Sequence, residues 1–462
     1  MSRAAGCLKA VVLVTGISFA SLASATTGYF TLGYGARSMG MAGAVVSNPQ
    51  DALAAAANPA GMALVGQRGD LGVRFFSPIR EAELDTSAVG AGSDYGAPFD
   101  VHYRSGRDLF TIPNFGVTKK LSDRLYIGIS IYGNGGLNTS YANNIYDETA
   151  AVLFNPNGPS STPQGAVTGA PNTGKLGVDL EQSLFAPTVA FRFNDTNTIG
   201  ASLLIGVQRF SARGLGDFNC LTPTGYSNGQ PACYPAPYTT NNGNEFSYGT
   251  GVRVGWLGQV TPQLTLGATF ASKVYMSKFD TYKELFAGQG DLDIPANFAL
   301  GLTFAATPAL KYTFEYERIL YEGVNSISNP GPVLTVNGPA PAPGSGLLGM
   351  DNGMGFGWKD VDVYRLALEY DYDSDWTFRA GIAYNTQPID QSQVLFNILA
   401  PATVQKHATA GFTYRPNHTS EWSFAYMHAF EQTVRTAQSA FGVPASIKMY
   451  QDSLDLSYSL LF

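Results

Sequence analysis

The sequence predicts an all-β fold, a 14-stranded antiparallel β-barrel that spans a membrane, and three observations predict it. Only 14% of the residues are charged, while Tyr and Phe number 25 and 28, which is typical of barrels with aromatic girdles. Segments in which apolar and polar residues alternate recur along the chain. Between them, very short turns alternate with long connections, as they do at the two rims of an outer-membrane barrel.

Fourteen segments show this alternation, and an even number leaves both ends of the barrel on the short-turn side. Short turns such as Ser122-Asp123 and Thr196 alternate with the longer connections. No run of 18 apolar residues follows Ala25, which excludes transmembrane helices. The predicted strands lie at residues 68–84, 108–121, 124–137, 182–195, 197–213, 247–261, 263–278, 292–306, 308–323, 358–373, 375–388, 402–416, 419–433 and 446–462.

Individual strands place their charged side chains on one face, because successive side chains of a strand point to opposite faces. In the segment 308–323, Glu315 and Glu317 lie opposite Phe314 and Tyr316. Turning charges toward the lumen avoids a cost of about 2–4 kcal/mol for a lipid-facing Arg or Lys at mid-depth. A soluble sandwich with one polar face is the alternative, but it does not account for the unequal connections.

The last strand ends on an aromatic residue. Tyr458, Leu460 and Phe462 share one face, and Ser457 and Ser459 share the other. A terminal Phe on such a strand resembles the tail that outer-membrane barrels present to their assembly machinery. We therefore interpret Tyr458, Leu460 and Phe462 as an assembly signal and expect the barrel assembly machinery to be a partner.

The amino end reads as a secretory signal peptide over residues 1–25. Arg3 and Lys9 are followed by a short apolar stretch and by Ala23-Ser24-Ala25, a small-x-small cleavage pattern. With the terminal strand, this signal predicts the outer membrane of a Gram-negative bacterium. The whole chain has a net charge of −7, and removing the signal makes it more negative. That charge does not favour a nucleic-acid partner.

Residues 26–67 lack strand alternation and precede the barrel, residues 68–462. Glycines make the first half of this segment bendable, and residues 50–57 predict a short Ala-rich helix. Asn58-Pro59-Ala60-Gly61 should end that helix, because the residue before a proline avoids helical angles. About forty residues are enough to plug the lumen of a 14-stranded barrel, so we expect a small hatch there.

Two cysteines remain once the predicted signal is removed, Cys220 and Cys233. Both lie in a stretch rich in Gly, Pro and Asn. In an oxidising envelope we expect them to form a disulfide that closes a surface loop. A free or metal-binding pair is the alternative, but no His lies near either one in the sequence. We expect no metal site.

Several motifs resemble those of the FadL/TodX (OmpP1) family of outer-membrane transporters for long-chain fatty acids and other hydrophobic compounds. Some of these motifs match the N-terminal hatch of that family, and two match its second and third strands. The segments that match the family's hatch are Gly40-Met41-Ala42-Gly43-Ala44, Asp51-Ala52 and Asn58-Pro59-Ala60. Those that match its strands are Ile112-Pro113-Asn114-Phe115-Gly116-Val117 and Ile127 to Tyr132 followed by Gly133-Asn134-Gly135-Gly136.

The resemblance implies passive uptake of long-chain fatty acids or similar hydrophobic compounds across the outer membrane, with no cofactor. Substrate would be captured at the long loops, wait behind the hatch and leave sideways through a kink in strand three. The hatch residues would include Gly40, Gly43, Asn58, Pro59 and Ala60. The kink would lie at Gly133, Gly135 and Gly136, since glycine weakens a strand and marks bulges; a glycine-rich hairpin loop beyond the membrane is the alternative.

Other functions fit less well. Aromatic hydrocarbons would suit the same mechanism, and a general diffusion porin would not need a forty-residue obstruction. An outer-membrane lipolytic enzyme would need a Ser-His pair, but the chain has no Gly-x-Ser-x-Gly motif. His428 lies on an aromatic strand face and reads as a girdle residue. We therefore predict no enzyme.

The expected partners are the hydrophobic substrate, outer-membrane lipid and lipopolysaccharide, and the expected state is a monomer. A substrate carboxylate would need a cation, because an isolated charge is costly to bury. The sequence does not rank the candidate cations Arg209, Arg253, Lys273, Arg318 and Arg365.

Overall fold

A computed structural model describes residues 26–85, 100–146, 174–227, 230–231, 236–335, 338–440 and 442–462. The predicted signal peptide, 1–25, and Cys233 lie outside the described residues, and so does most of the long predicted loop 138–181. The signal peptide therefore stays a prediction.

One antiparallel sheet of sixteen strands forms the wall, comprising fourteen long strands and two short ones, Asp100–Arg104 and Tyr275–Met276. Each long strand pairs with the next along the chain, and the last pairs with the first, so the sheet closes. The predicted 14-stranded antiparallel barrel is confirmed. The long strands are β1 (Arg68–Asp85), β2 (Phe110–Lys120), β3 (Leu125–Asn138), β4 (Gly177–Arg192), β5 (Asn197–Arg213), β6 (Glu245–Gln259), β7 (Leu264–Ala271), β8 (Asn297–Ala305), β9 (Leu310–Ile319), β10 (Val361–Asp371), β11 (Trp376–Asn385), β12 (Lys406–Asn417), β13 (Ser420–Thr436) and β14 (Ala445–Leu461).

The strand predictions differ from the structure in several places. β4 begins at Gly177 rather than at 182, and β8 begins at Asn297 rather than at 292. Two short hairpins, Tyr226–Ser227 with Gln230–Pro231 and Pro332–Thr335 with Gly338–Pro341, lie in predicted loops.

β7 ends at Ala271 rather than at 278, because the Ser272 hydroxyl accepts a hydrogen bond from Val252 N (3.0 Å) and interrupts the ladder. Pairing with β6 resumes only at Tyr275–Met276. The strand Asp100–Arg104 pairs with β1 inside a predicted loop. Its five residues are too short and too polar to give a clear alternation.

The predicted strand faces are as expected. Trp422, Leu366 and Phe314 point outward and are 55%, 50% and 47% exposed, whereas Glu315 and Glu369 are buried on the lumen side. An apolar outer face next to lipid and a polar inner face are what a membrane barrel requires. No helix in the described part of the chain is long and apolar enough to cross a membrane.

The helices of the described residues are short and lie before β1 or in the long connections. The α-helices are Gly35–Gly40, Ala287–Gly290, Asn325–Ser328 and Val394–Asn397, and the 3-10 helices are Ala54–Ala56, Pro59–Ala63, Gly216–Leu221, Asp280–Tyr282, Tyr321–Gly323 and Gln391–Gln393.

The single helix predicted over residues 50–57 is wrong. The chain forms two 3-10 helices instead, Ala54–Ala56 and Pro59–Ala63, and an α-helix at Gly35–Gly40 was not predicted. Asn58 does not simply end a helix: its side chain accepts a hydrogen bond from Ala60 N (3.1 Å) and caps the second 3-10 helix. Pro59 suits the first position of that helix, because it has no N–H to satisfy.

The N-terminal segment, residues 26–67, packs against the lumen face of strands on several sides of the barrel. Glu315 accepts hydrogen bonds from Val45 N (2.9 Å) and Val46 N (2.8 Å). Arg37 pairs with Glu421, which also pairs with Arg68 at 2.7 Å. Buried charges are costly unless they are paired, so these contacts define one fitted position for the segment.

Candidate functional site

An apolar cavity of about 50 Å³ lies at the long-loop end of the lumen. Among the described residues that line it, only Tyr29 and Ser326 have polar side chains, and none is charged. Burying a methylene group in such surroundings is worth about 0.8 kcal/mol. The cavity therefore suits an apolar ligand. Its other lining residues are Leu137, Val178, Leu180, Phe210, Leu215, Phe218, Leu285, Phe286, Leu292, Ile327, Leu348, Met354, Gly355, Phe356, Phe396 and Leu399.

A buried cation lies in the lumen on β6. Arg253 is 3% exposed. Its Nη1 atom donates a long hydrogen bond to Ala55 O (3.4 Å), and its guanidinium also interacts with the Tyr132 hydroxyl. Its Nε atom has no hydrogen-bond partner, and no carboxylate lies within 4.0 Å of the guanidinium, among the residues that the structure describes. A buried guanidinium without an anion is costly, so this position favours an anionic ligand group.

The other candidate cations are already paired with carboxylates. Their shortest ion pairs are Arg209–Glu181 at 2.6 Å, Arg318–Asp362 at 3.1 Å, Lys273–Asp293 at 3.5 Å and Arg365–Glu317 at 2.5 Å. Arg253 thus differs from the other four in having no ion pair within the described ranges. These five cations could not be ranked from the sequence, because most of their partners lie on other elements of the fold.

The kink predicted at Gly133, Gly135 and Gly136 coincides with an irregularity of β3. The register between β3 and β4 shifts between Gly133 and Gly135, which leaves Asn134 as an extra residue. Such a bulge bends the strand. Pairing between β2 and β3 runs only from Lys120↔Tyr126 to Phe115↔Ile131.

In the described residues, no backbone hydrogen-bond ladder therefore joins the first part of β2, residues 110–114, to β3. The β2 segment 110–114 pairs with β1 on its other side. Ile112 packs with Phe76 and Phe110 in this gap, and a Cβ added to Gly133 would lie 2.8 Å from Ile112 Cγ2. Side chains rather than hydrogen bonds close the wall at this point.

Residues 26–31, here called the N-terminal arm, take the place of β2 beside the bent part of β3. Thr31 N donates to Asn134 O (3.1 Å), and Gly136 N donates to Tyr29 O (3.1 Å). Phe30 and Gly135 form an antiparallel bridge. The arm thus satisfies backbone groups of β3 that would otherwise be unpaired in the lumen.

The other predicted hatch residues also contact the wall or their own segment. Gly43 has a φ of +82°, and a Cβ there would collide with Leu32 O. Asn58 Nδ2 donates to Val46 O (2.9 Å) and to Trp256 O of β6 (3.0 Å). A Cβ on Gly40 would lie 3.4 Å from Arg379 Cβ. Their role as a hatch stays a prediction.

Buried charge also accumulates within the N-terminal segment. Burial raises the pKa of Asp51 from 3.8 to about 6, and repulsion from the Asp70 carboxylate adds to the rise. Asp70 Oδ2 in turn accepts a hydrogen bond from Ala52 N (2.8 Å). The Asp70 carboxylate therefore joins the base of the segment to β1.

A set of lumen-facing glycines, here called the wall glycines, lets the segment approach the strands closely. A Cβ on Gly116 would lie 2.6 Å from Ala52 O, and one on Gly381 would lie 2.8 Å from Ala42 N. A Cβ on Gly200 would collide with Ala60 N, and one on Gly255 with Asn58 Oδ1. Glycine in a strand often marks such a close backbone approach.

Replacing Gly200 by Val is expected to unseat the N-terminal segment without opening the barrel, because the new side chain occupies the position of Pro59 and Ala60. Limited proteolysis should then cleave residues 26–67 while the barrel stays resistant. Gly69→Val is the control, since a Cβ at Gly69 meets nothing closer than 4.0 Å. Equal protection of residues 26–67 from proteolysis in both variants would contradict close packing of the segment against the strands.

The remaining predicted residues lie apart from the cavity. Phe462 is 66% exposed and Leu460 is 50% exposed on the outer face, with Tyr458 on the same side. Their role as an assembly signal stays a prediction. Cys220 lies in the 3-10 helix Gly216–Leu221 and is disulfide-bonded. Because Cys233 lies outside the described residues, the pairing of these two cysteines stays a prediction.

His428 lies on the outer face of β13, away from the lumen. Its Nδ1 atom is 2.9 Å from Asp452 Oδ1, and the Tyr426 hydroxyl donates to the same oxygen (2.5 Å). The ring of Phe430 packs edge-on against it, 4.9 Å between centroids. These contacts are those of a polar group at the border of an aromatic girdle.

The fold and the cavity together define the class of protein. It is a closed outer-membrane β-barrel whose lumen holds the N-terminal segment of the same chain. A family model described as "Outer membrane protein transport protein (OMPP1/FadL/TodX)" matches residues 168–455, more than half of the chain. The protein belongs to this family of outer-membrane transport channels for hydrophobic compounds, and the outer membrane is its location.

Individual relatives are more distant. A stretch of 85 residues is 36% identical to the long-chain fatty acid transport protein of Escherichia coli O6:H1, covering 17% of this chain but only 19% of that relative. The solved toluene transporter TodX of P. putida is 18% identical, with a TM-score of 0.62 over 93% of this chain and 99% of its own. A Pseudomonas aeruginosa FadL homologue is 16% identical, with a TM-score of 0.62 over 94% and 99%. At these identities the structural likeness shows the fold alone.

Proposed function

We propose that this protein takes up long-chain fatty acids passively across the outer membrane. The N-terminal segment acts as a hatch, and the substrate leaves sideways between β2 and β3. The observation that carries this proposal is the N-terminal arm, which pairs with β3 where β2 does not. Where β2 and β3 share no backbone hydrogen bonds, the arm covers β3 from the lumen side. Withdrawal of the arm would therefore open the wall between these two strands.

Lateral exit suits an apolar substrate for a physical reason. Each methylene that leaves an apolar site for water loses about 0.8 kcal/mol, so a path through a water-filled pore would hold back a long chain. The gap between β2 and β3 is lined by Phe76, Phe110 and Ile112, all nearly fully buried. An acyl chain passing there exchanges one apolar surface for another.

Arg253 supports a substrate that carries a carboxylate. Tyr29 lines the apolar cavity, and burial raises the pKa of its hydroxyl. Gln182 accepts from Asn134 Nδ2 (3.3 Å) at the bulge. Arg253 lies farther toward the base of the lumen, against Ala55. An amphiphile can place its chain in the cavity and its carboxylate on the unpaired guanidinium.

Arg253→Gln tests this assignment. We expect the Kd for a long-chain fatty acid to rise about tenfold to a hundredfold, because a hydrogen bond to a charged group contributes roughly 1.5–3 kcal/mol. The Kd for the uncharged alcohol of the same chain length should stay unchanged. Binding to purified protein is measured by isothermal titration calorimetry for both ligands. Arg318→Gln, which changes a guanidinium already paired with Asp362, is the matched control.

The second candidate substrate is an aromatic hydrocarbon. The absence of charged groups from the cavity lining favours it, since such a ligand needs no ion partner. If Arg253→Gln leaves the fatty-acid Kd unchanged while toluene binds the wild-type protein, the aromatic hydrocarbon is the better assignment.

A diffusion porin and a lipolytic enzyme are the remaining alternatives. An open porin would give large, steady, voltage-insensitive currents in a planar bilayer, whereas a closed hatch should give little current. Lipase and phospholipase assays with the His428→Ala variant test the enzyme. Lipid, lipopolysaccharide, the assembly machinery and the monomeric state stay predictions.

A further inference from the structure

One buried tyrosine connects a long loop to the N-terminal arm. Tyr321 begins the 3-10 helix Tyr321–Gly323 in the connection between β9 and β10, and it is 0% exposed. Its hydroxyl accepts hydrogen bonds from Tyr29 N (3.0 Å) and Phe30 N (3.4 Å). The same hydroxyl donates to Thr27 O (2.8 Å). Three backbone groups of the arm therefore converge on one oxygen atom.

The arm is shaped around this hydroxyl. Gly28 has a φ of +71°, which side-chain-bearing residues rarely adopt, and a Cβ there would collide with the Tyr321 hydroxyl. The Tyr321 ring packs edge-on against Tyr29 at 5.2 Å and against Trp358 at 5.2 Å between centroids. The contact is thus fixed from the arm by Gly28 and from the loop by aromatic packing.

The connection that carries Tyr321 also lines the apolar cavity. Ser326, Ile327 and Phe356 belong to it, and Trp358 N donates to Ile327 O (3.0 Å). Tyr29 lines the cavity from the arm side. A ligand larger than the empty cavity of about 50 Å³ has to displace lining residues, and these include Tyr29 of the arm and Ile327 of the Tyr321 connection.

We propose that Tyr321 is the positioning residue that couples occupancy of the apolar cavity to the pairing of the N-terminal arm with β3. When ligand displaces the loop segment around Ile327, the hydroxyl withdraws from the arm. The arm then loses three hydrogen bonds, and its pairing with Asn134 and Gly136 weakens. This proposal rests on the proposed function, since it assumes that the cavity takes the substrate.

Amide hydrogen exchange on the full-length mature protein in detergent tests it. The reporters are the amides of Thr31 and Gly136, which bond between the arm and β3 and do not contact Tyr321. In the wild-type protein, a long-chain fatty acid should speed their exchange. In Tyr321→Phe, which keeps the ring, exchange without ligand should be about tenfold faster, and the response to ligand should be lost.

Two further variants make the result specific. Tyr282→Phe is the matched control, because its hydroxyl donates to Gly243 O (2.5 Å) and accepts from Ala212 N (3.3 Å) at the end of β5, away from the arm. It should exchange like the wild type at both reporters. Gly28→Ala breaks the same contact from the arm and should match Tyr321→Phe, and the double variant should show no additional effect.

The outcomes separate this inference from the proposed function. If the wild-type protein binds fatty acid but Tyr321→Phe and Gly28→Ala exchange like Tyr282→Phe, the coupling role is wrong. If Tyr321→Phe does not form a heat-modifiable barrel, Gly28→Ala alone decides the question. If the wild type binds no fatty acid, the proposed function fails, while fast ligand-free exchange in both variants would still show that Tyr321 holds the arm.

Discussion

Deletion of residues 26–61 is expected to leave a folded barrel that conducts ions and no longer retains substrate. The strands close on each other without help from this segment, since β1 and β14 pair from Arg68↔Leu461 to Leu84↔Ala445. The deletion empties the lumen and exposes its polar inner face to water. In planar bilayers the current should rise from little to large and steady.

The same deletion should also abolish controlled uptake of labelled fatty acid, because the cavity loses Tyr29 and β3 loses the arm. A shift in electrophoretic mobility on heating shows that the variant is folded. Unchanged uptake together with unchanged permeability would contradict a hatch. Gly200→Val, with Gly69→Val as its control, displaces the N-terminal segment without removing it. The comparison therefore separates the effect of displacing the segment from the effect of deleting it.

Replacement of Gly135 by Val is expected to have the second large effect. A Cβ at this position would collide with Tyr29 O, so the arm cannot pair with β3. Valine also favours a regular strand over a bulge. Replacing Gly136 in addition should straighten β3, and we expect fatty-acid uptake to fall to the level of cells without the protein.

Assembly should be unaffected by the Gly135 and Gly136 substitutions, because the pairing of β3 with β4 continues on both sides of the bulge. Gly69→Val in β1 is again the control and should transport normally. The measurement is uptake of labelled fatty acid in cells with equal amounts of heat-modifiable protein. Normal uptake through a strand shown to be straight would exclude this exit.

The barrel was predictable from the sequence because its signals are local. Strand side chains alternate with a period of two, so Glu315 and Phe314 reveal their faces without reference to other strands. The short turns and long loops are equally visible along the chain. The largest differences are at β7 and at the strand Asp100–Arg104, and both are short where a side chain or a polar sequence interrupts the pattern.

The N-terminal segment was less predictable because distant residues determine its form. Ala54–Ala56 has helical propensity, yet the chain turns at Asn58, whose side chain bonds to Trp256 O on β6. The glycines of the bulge were a sequence signal, whereas the break between β2 and β3 was not. The same holds for Arg253, since an unpaired cation is recognised only when the neighbouring strands are known.

Exit of the substrate between β2 and β3 is the central proposal, and a reversible crosslink tests it directly. Ile112→Cys with Gly133→Cys joins the strands across the gap, where a Cβ on Gly133 lies 2.8 Å from Ile112 Cγ2, within reach of a disulfide. Val117→Cys with Ile129→Cys is the control, because these residues are already paired. We predict that oxidation abolishes fatty-acid uptake only in the first variant and that reduction restores it. Full uptake with the gap completely crosslinked would contradict lateral exit.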